Sequence, residues 1–332
     1  MGFPKKFLCA IPIGMVVGLF FLMSAVRFQL GVPTASSAWI KELTSRKQNA
    51  AAAISRPKII LLGGSATLFG LNASLIESEL GLPVINGGLH AGIGLASILR
   101  EGKKMITPGD TVVIYPEYEL LNFGEKNRQQ WAAITYLDYI LSHDVPYFEG
   151  LPLYDQLEIA LMTPLERLAR GIKGKWIPEQ LKEGSDYNPY NLVWLNDTGD
   201  MTGHIAARRP LIAEDRDRRE CEVLRKGISL GEEGFELISE FKQWADSNHV
   251  RVLAGFPSMA HRSSYDSTMI DGVEMQLKKF YTDRGINVVG NLRESLMPQM
   301  DFFDTIYHPT EETSLRISRR TASGLRPILD AL

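Results

Sequence analysis

Apolar residues run unbroken through positions 59–62 and return, rich in β-branched side chains, at 111–115; such runs suit strands covered on both faces of a parallel sheet. Between them the pattern alternates. A helix is expected over about 72–80, with Asn72 able to cap it and Gly81 to stop it. Residues 83–85 form a short strand ending in Asn86-Gly87-Gly88, and a helix follows over about 92–105 before the Pro108-Gly109-Asp110 turn. Three such units in succession predict a parallel sheet with right-handed crossovers. From about 120 to 231 the rhythm breaks into helical stretches separated by Gly/Pro loops. Within them Thr163-Pro164-Leu165-Glu166 predicts a helix start with Thr163 as its cap. The rhythm then resumes with a helix over 235–247, a strand over 251–256, a helix over about 268–283 and a strand over 286–289. Thr310-Glu311-Glu312 opens a last helix. The pattern predicts one α/β domain over 57–329 on a five-stranded parallel sheet, with a long, mostly helical insertion at about 120–231.

Ahead of the domain, residues 7–26 carry no charge and span roughly 30 Å as a helix, the hydrocarbon thickness of a bilayer. The run is longer than the apolar core of a cleaved signal, and the best small-residue site, 36–38, lies well downstream. Residues 1–30 are therefore expected to be a retained transmembrane anchor, with 31–56 a membrane-proximal helical spacer. Arg27, Lys41, Arg46 and Lys47 compete with Lys5 and Lys6 in the positive-inside count. A short polar N-terminus most simply stays in the cytoplasm. The expectation is a single-pass protein of the inner (cytoplasmic) membrane with its main domain outside.

The 332 residues carry a net charge of -3, which gives no basic field for nucleic acid. Cys9 and Cys221 sit in an apolar and a charged stretch respectively, so no disulfide is expected between them. Asn196, Gly199, Asp200 and His204 form a polar cluster, but one His and one Asp fall short of a metal ligand set. No phosphate-binding glycine loop is present, and no cofactor is expected. The insertion is rich in Trp and Tyr, including Trp131, Trp176 and Tyr190; these serve either as its own core or as a carbohydrate-stacking platform.

The candidate chemistry lies at the ends of strands. Gly63 and Gly64 let the backbone turn sharply after the first strand and present Ser65 at the rim where open α/β sheets bind ligands. Alone, this stretch reads more readily as a strand-to-helix turn with a capping serine. Near the C-terminus, Pro309 keeps His308 out of the last helix, so His308 is expected on a loop at the same rim. A serine hydroxyl needs a base to become a nucleophile, and a neutral imidazole is suited to that role. A carboxylate on the other ring nitrogen would fix the tautomer; Asp304 is the nearest candidate and Asp301 the second.

Gly63-Gly64-Ser65, Asn86-Gly87-Gly88 and Asp304-Thr305-Ile306-Tyr307-His308, in this order, resemble the motif blocks of the SGNH/GDSL hydrolase superfamily. The resemblance implies a three-layer α/β/α flavodoxin-like fold and the chemistry of esterases and of polysaccharide O-acyltransferases. Ser65 would be the nucleophile, His308 the base and Asp304 the orienting acid, with backbone N–H groups of Ser65 and Gly88 as the oxyanion donors. This chain has Gly64 where the pattern has Asp, and Asp304 stands four residues before His308 instead of three. The third block, Tyr115-Pro116-Glu117-Tyr118-Glu119, lacks the usual oxyanion-donating Asn. Asn86, His90, Glu117 and Glu119 are candidate substrate contacts at the rim, the two Glu residues equally being candidates to cap a loop. The implied function is that of an extracytoplasmic serine esterase or O-acyltransferase acting on acyl, chiefly acetyl, groups of a cell-envelope polysaccharide. The implied partner is a multi-spanning membrane acyltransferase. The alternative is a non-catalytic glycan-binding or assembly subunit of a polysaccharide modification complex.

Overall fold

The computed structural model describes residues 5–34, 37–124, 126, 128–178, 190–202, 217–226 and 230–331. His204 of the polar cluster lies outside them. The chain divides into two compact units, one of residues 1–41 with 127–182 and the other of 42–126 with 183–332. These boundaries differ from an anchor, a spacer and a single insertion: residues 127–182 group with the N-terminal segment, whereas the rest of the expected insertion belongs to the sheet-bearing unit.

The first unit is helical. It contains α1 (Lys5–Phe28), the start of α2 (Ala38–Ala52), and, once the second unit's α3 (Ser65–Gly70), α4 (Ala73–Leu80) and α5 (Gly94–Lys103) have been counted in chain order, α6 (Arg128–Ala132) through α10. The intervening helices are α7 (Ile134–Ser142), α8 (Val145–Gly150) and α9 (Leu153–Met162), and α10 is Leu165–Gly174. α1 includes an 18-residue window, Ile11–Phe28, long and apolar enough to cross a membrane. Inside the unit a buried ion pair joins Arg167 of α10 to Asp138 of α7, and Thr34 Oγ1 donates to Asp138 at 2.6 Å. Thr163 does not cap α10. Its hydroxyl donates back to the Ile159 carbonyl at 2.8 Å, closing α9 instead, a bond open to any hydroxyl four residues along a helix.

The second unit is built on five parallel strands: β1 (Ile59–Gly63), β2 (Val84–Asn86), β3 (Thr111–Tyr115), β4 (Arg251–Gly255) and β5 (Asn287–Val289). Their spatial order is 2-1-3-4-5, the flavodoxin-like order in which ligands gather at the carboxyl ends of the strands near β1 and β3. β1 and β3 are buried along their whole length, as their continuous apolar runs require. α4 begins and ends as its sequence dictates, with Asn72 accepting from the Leu75 N–H and Gly81 at a φ of 71°. A six-residue helix, α3, precedes it, so Ser65 opens a helix directly after the glycine turn. Such a helix is too short to leave a periodic trace.

The expected spacer continues into this unit as structure. Lys47 of α2 is fully buried and its ammonium donates to the carbonyls of Asn86 at 2.8 Å and Gly88 at 2.7 Å. Burial pulls its pKa down to about 7 against the opposing charge of Asp200. Asp200 accepts from the Ala73 and Ser74 N–H groups at 2.7 and 3.2 Å, so the 196–200 cluster caps α4.

Candidate active site

β1 and β3 pair in register from Ile59↔Thr111 to Gly63↔Tyr115, so the turns that follow them emerge side by side. Glu117 leaves β3 and reaches across to the β1 turn, where its carboxylate accepts the Gly64 N–H at 3.1 Å and the Ala66 N–H at 2.8 Å. The two amides flanking Ser65 are thus held by one carboxylate. Glycine at 64 is required by this contact: a Cβ there would lie 2.4 Å from both Glu117 oxygens. Burial pushes the Glu117 carboxyl up to about 7, opposed by the backbone N–H bonds and aided by the neighbouring Glu119. Of the two roles expected of Glu117, holding a loop is the one its hydrogen bonds describe.

Asn86 is likewise not a rim contact. It is fully buried, its Nδ2 donating to the carbonyls of Thr67 at 3.1 Å and Leu71 at 2.8 Å, so that the end of β2 is tied to α3. Its Oδ1 accepts the Gly88 N–H at 2.9 Å. That bond removes Gly88 from the expected oxyanion pair, since an N–H already pointing at a buried carbonyl is not open to a substrate. Gly88 itself packs closely on α3, where a Cβ would lie 2.4 Å from the Leu68 nitrogen. The Ser65 N–H, between the two amides taken by Glu117, is the expected donor that remains.

The second half of the site comes from a loop that folds back on itself. Phe302 bridges Pro309 in antiparallel fashion and Phe303 N–H donates to the His308 carbonyl at 3.0 Å. The loop is fastened to the chain leaving β4 by the Ala260 N–H, which donates to the Ile306 carbonyl at 2.7 Å. This reversal brings Asp304 against His308 despite their four-residue spacing: Asp304 Oδ1 lies 2.7 Å from His308 Nδ1. His308 is 3% exposed and Ser65 8%. Burial would raise the Asp304 carboxyl, but His308, the Tyr190 hydroxyl and the Thr305 N–H hold it below the ordinary aspartate range. Asp301 faces elsewhere, paired with Arg316.

Phe69 connects the halves. It lies one turn along α3 from Ser65, on the same side of the helix, and its ring centroid is 4.5 Å from that of His308. Ser65 and His308 make no hydrogen bond to each other. His90, half-buried after β2, has its pKa lowered to about 4 by burial and then by the charge of His308. Glu119 accepts a hydrogen bond from the Tyr307 hydroxyl.

Tyr190, expected only as one of the insertion's aromatics, is the site residue whose place beside Asp304 the sequence does not reveal. Its hydroxyl donates to Asp304 Oδ2 at 2.9 Å and its ring meets Phe69 edge-on at 5.4 Å. A single tyrosine in a loop with no periodicity gives no signal of such a partner. Ser65, Asp304, His308, His90 and Tyr190 thus gather around α3, while Asn86, Gly88 and Glu117 lie beneath it as its supports. The chain matches no protein-family model and no curated protein.

Proposed function

We propose that this chain is a membrane-anchored SGNH-like serine esterase or O-acyltransferase that acts on acyl groups of a cell-envelope polysaccharide. The observation that carries the reading is the buried Asp304–His308 pair, 2.7 Å apart, packed through His308 against Phe69 of the helix that Ser65 opens. With Nδ1–H held by Asp304, His308 Nε2 carries the lone pair. Ser65 Oγ attacks the ester carbonyl carbon as its proton passes to Nε2, and the ester C–O bond breaks as Nε2 returns that proton to the leaving alcohol. The acyl group then passes to water in an esterase or to a sugar hydroxyl in a transferase: the incoming O–H gives its proton to His308 as its oxygen bonds the carbonyl carbon, and the bond to Ser65 Oγ breaks as Nε2 returns that proton to Oγ. The Ser65 N–H is the backbone donor for the developing oxyanion.

The departures from the superfamily pattern support each other. The pattern has a carboxylate directly after the first Gly, and here the Glu117 carboxylate fills the space next to Gly64. α1 is the anchor, with the sheet-bearing unit outside the cytoplasmic membrane and a multi-spanning acyltransferase as the acyl source. Labelling by a fluorophosphonate and hydrolysis of an aryl acetate test the chemistry: both are expected in the full chain and lost in Ser65→Ala and His308→Asn. Their absence from the intact protein would overturn the enzyme reading. One observation favours a non-catalytic glycan-binding subunit: three of the N–H groups around Ser65, those of Gly64, Ala66 and Gly88, are already engaged.

A further inference from the structure

The first unit carries a surface that the proposed ester chemistry does not use. Along α1 Ile11, Ile13, Met15, Val16, Phe20 and Phe21 are exposed, whereas Met23 and Val26 are buried. At that end α9 and α10 pack against α1. Arg27 Nη2 donates to Gln156 Oε1 at 2.9 Å, the Phe28 ring lies 5.7 Å from Trp176, and Lys175 Nζ donates to the Leu30 carbonyl at 3.2 Å.

α9 turns Gln156, Ile159 and Ala160 inward. Its other side carries Leu153, the half-buried Leu157 and Leu161 at four-residue spacing; beyond the extended backbone of Thr163 and Pro164, α10 opens with Leu165. Leu161 is 64% and Leu165 80% exposed. Trp176, 68% exposed, and Ile177 follow α10, next to the exposed Lys173 and Lys175. Facing water, such a surface promotes association. Leucines outward with Trp and Lys at the edge is instead the composition of helices that lie in a membrane interface. The surface meets α1 at Phe28, 49% exposed at the end of the window that can span a bilayer, whose ring lies against Trp176.

We propose that α9 and α10 lie in the headgroup–acyl boundary of the bilayer that α1 crosses, with Leu153, Leu157, Leu161, Leu165, Trp176 and Ile177 among the acyl chains and Lys173 and Lys175 at the headgroups. This rests on reading α1 as a membrane span. The unit is then seated on the membrane by two lateral helices as well as tethered through it.

The test uses the full chain with Cys9→Ser, Cys221 being buried, reconstituted in phosphatidylethanolamine–phosphatidylglycerol vesicles and spin-labelled at Leu161→Cys, Leu165→Cys, Phe20→Cys or Met275→Cys. Collisions with oxygen, which partitions into lipid, are compared with those of a water-soluble nickel complex. Labels at 161 and 165 are expected to collide more with oxygen than with nickel, at a shallower depth than the label at 20. The label at 275, exposed on the other unit, should show the reverse. Nickel-dominated collisions at 161 and 165 overturn the proposal, as does protection from both reagents, which would mean a second copy or another protein covers the stripe. The label at 20 separates the two readings: lipid contact there with water at 165 removes the interfacial helices and keeps the span.

Discussion

Glu117, just past β3, receives the Ala66 N–H at 2.8 Å, so the turn carrying Ser65 is held by a residue of the neighbouring strand's loop. The contact leaves room only for glycine at 64. Exchanging the two positions tests whether one carboxylate does the work. Gly64→Asp alone is expected to expel Glu117 and Glu117→Asn alone to leave a buried N–H unpaired, each lowering Ser65-dependent ester hydrolysis. Loss of a buried acceptor costs about 1–3 kcal/mol, or on the order of tenfold in rate when expressed at the reacting centre. The double variant places a carboxylate after Gly63 and an Asn after β3. It should recover activity beyond the sum of the single effects, a coupling that a double-mutant cycle measures directly.

The same carboxylate gives the fold a pH dependence. Its pKa is raised from 4.5 to about 7, mainly by burial, so the folded chain holds a proton that the unfolded chain releases. The stability it contributes is fully present below pH 4.5 and is lost as pH rises through about 7, a total on the order of 3 kcal/mol. Denaturant midpoints of the intact protein and of Glu117→Gln, measured from pH 4.5 to 8, should converge or cross as the pH rises. Parallel curves would show that Glu117 does not titrate on folding in this window.

Tyr190 holds the far oxygen of Asp304, leaving the near one for His308. Tyr190→Phe keeps the ring against Phe69 and removes only the hydroxyl, so the pair remains but its carboxylate turns more freely. One hydrogen bond to a charged group is worth about 1.5–3 kcal/mol. The rate of fluorophosphonate labelling at Ser65 is expected to fall by roughly tenfold or more, with the melting temperature lowered by a few degrees. An unaltered labelling rate would make Tyr190 a packing residue only.

Much of the scaffold was legible because its signals are local. Residues 59–62 and 111–115 can be little other than buried strands, and Asn72 and Gly81 mark helix ends by backbone chemistry alone. What escaped depends on residues distant in sequence. Lys47 reads as one more solvent-facing lysine on a polar helix, yet two carbonyls of the β2 turn draw it inside. Asn86 and Glu117 sit where rim residues belong, and only the third dimension shows them serving buried amides and carbonyls. The reversal at Phe303 and His308 makes a four-residue Asp–His spacing work, and no composition rule foresees it. Thr163 carried a helix-start signature, but its hydroxyl found the carbonyl four residues earlier first.

The first unit has its own internal test in Asp138 and Arg167. Both side chains are buried, at 0% and 3% exposure, and Asp138 also receives the Thr34 hydroxyl while Arg167 donates to the Val32 carbonyl at 3.1 Å. Together these bonds tie the chain following α1 to α7 and α10. Removing one charge leaves the other buried without its counter-charge, which costs about 3–5 kcal/mol, whereas replacing both with apolar groups of similar size is often neutral or better. Asp138→Leu is therefore expected to make residues 128–178 sensitive to limited proteolysis in the full-length protein, and Arg167→Met to do the same. Combined, the two substitutions should restore much of the resistance, since no unpaired charge then remains. Equal sensitivity in the double and single variants would mean that the hydrogen bonds to Thr34 and Val32, and not the burial of opposite charges, hold this unit together.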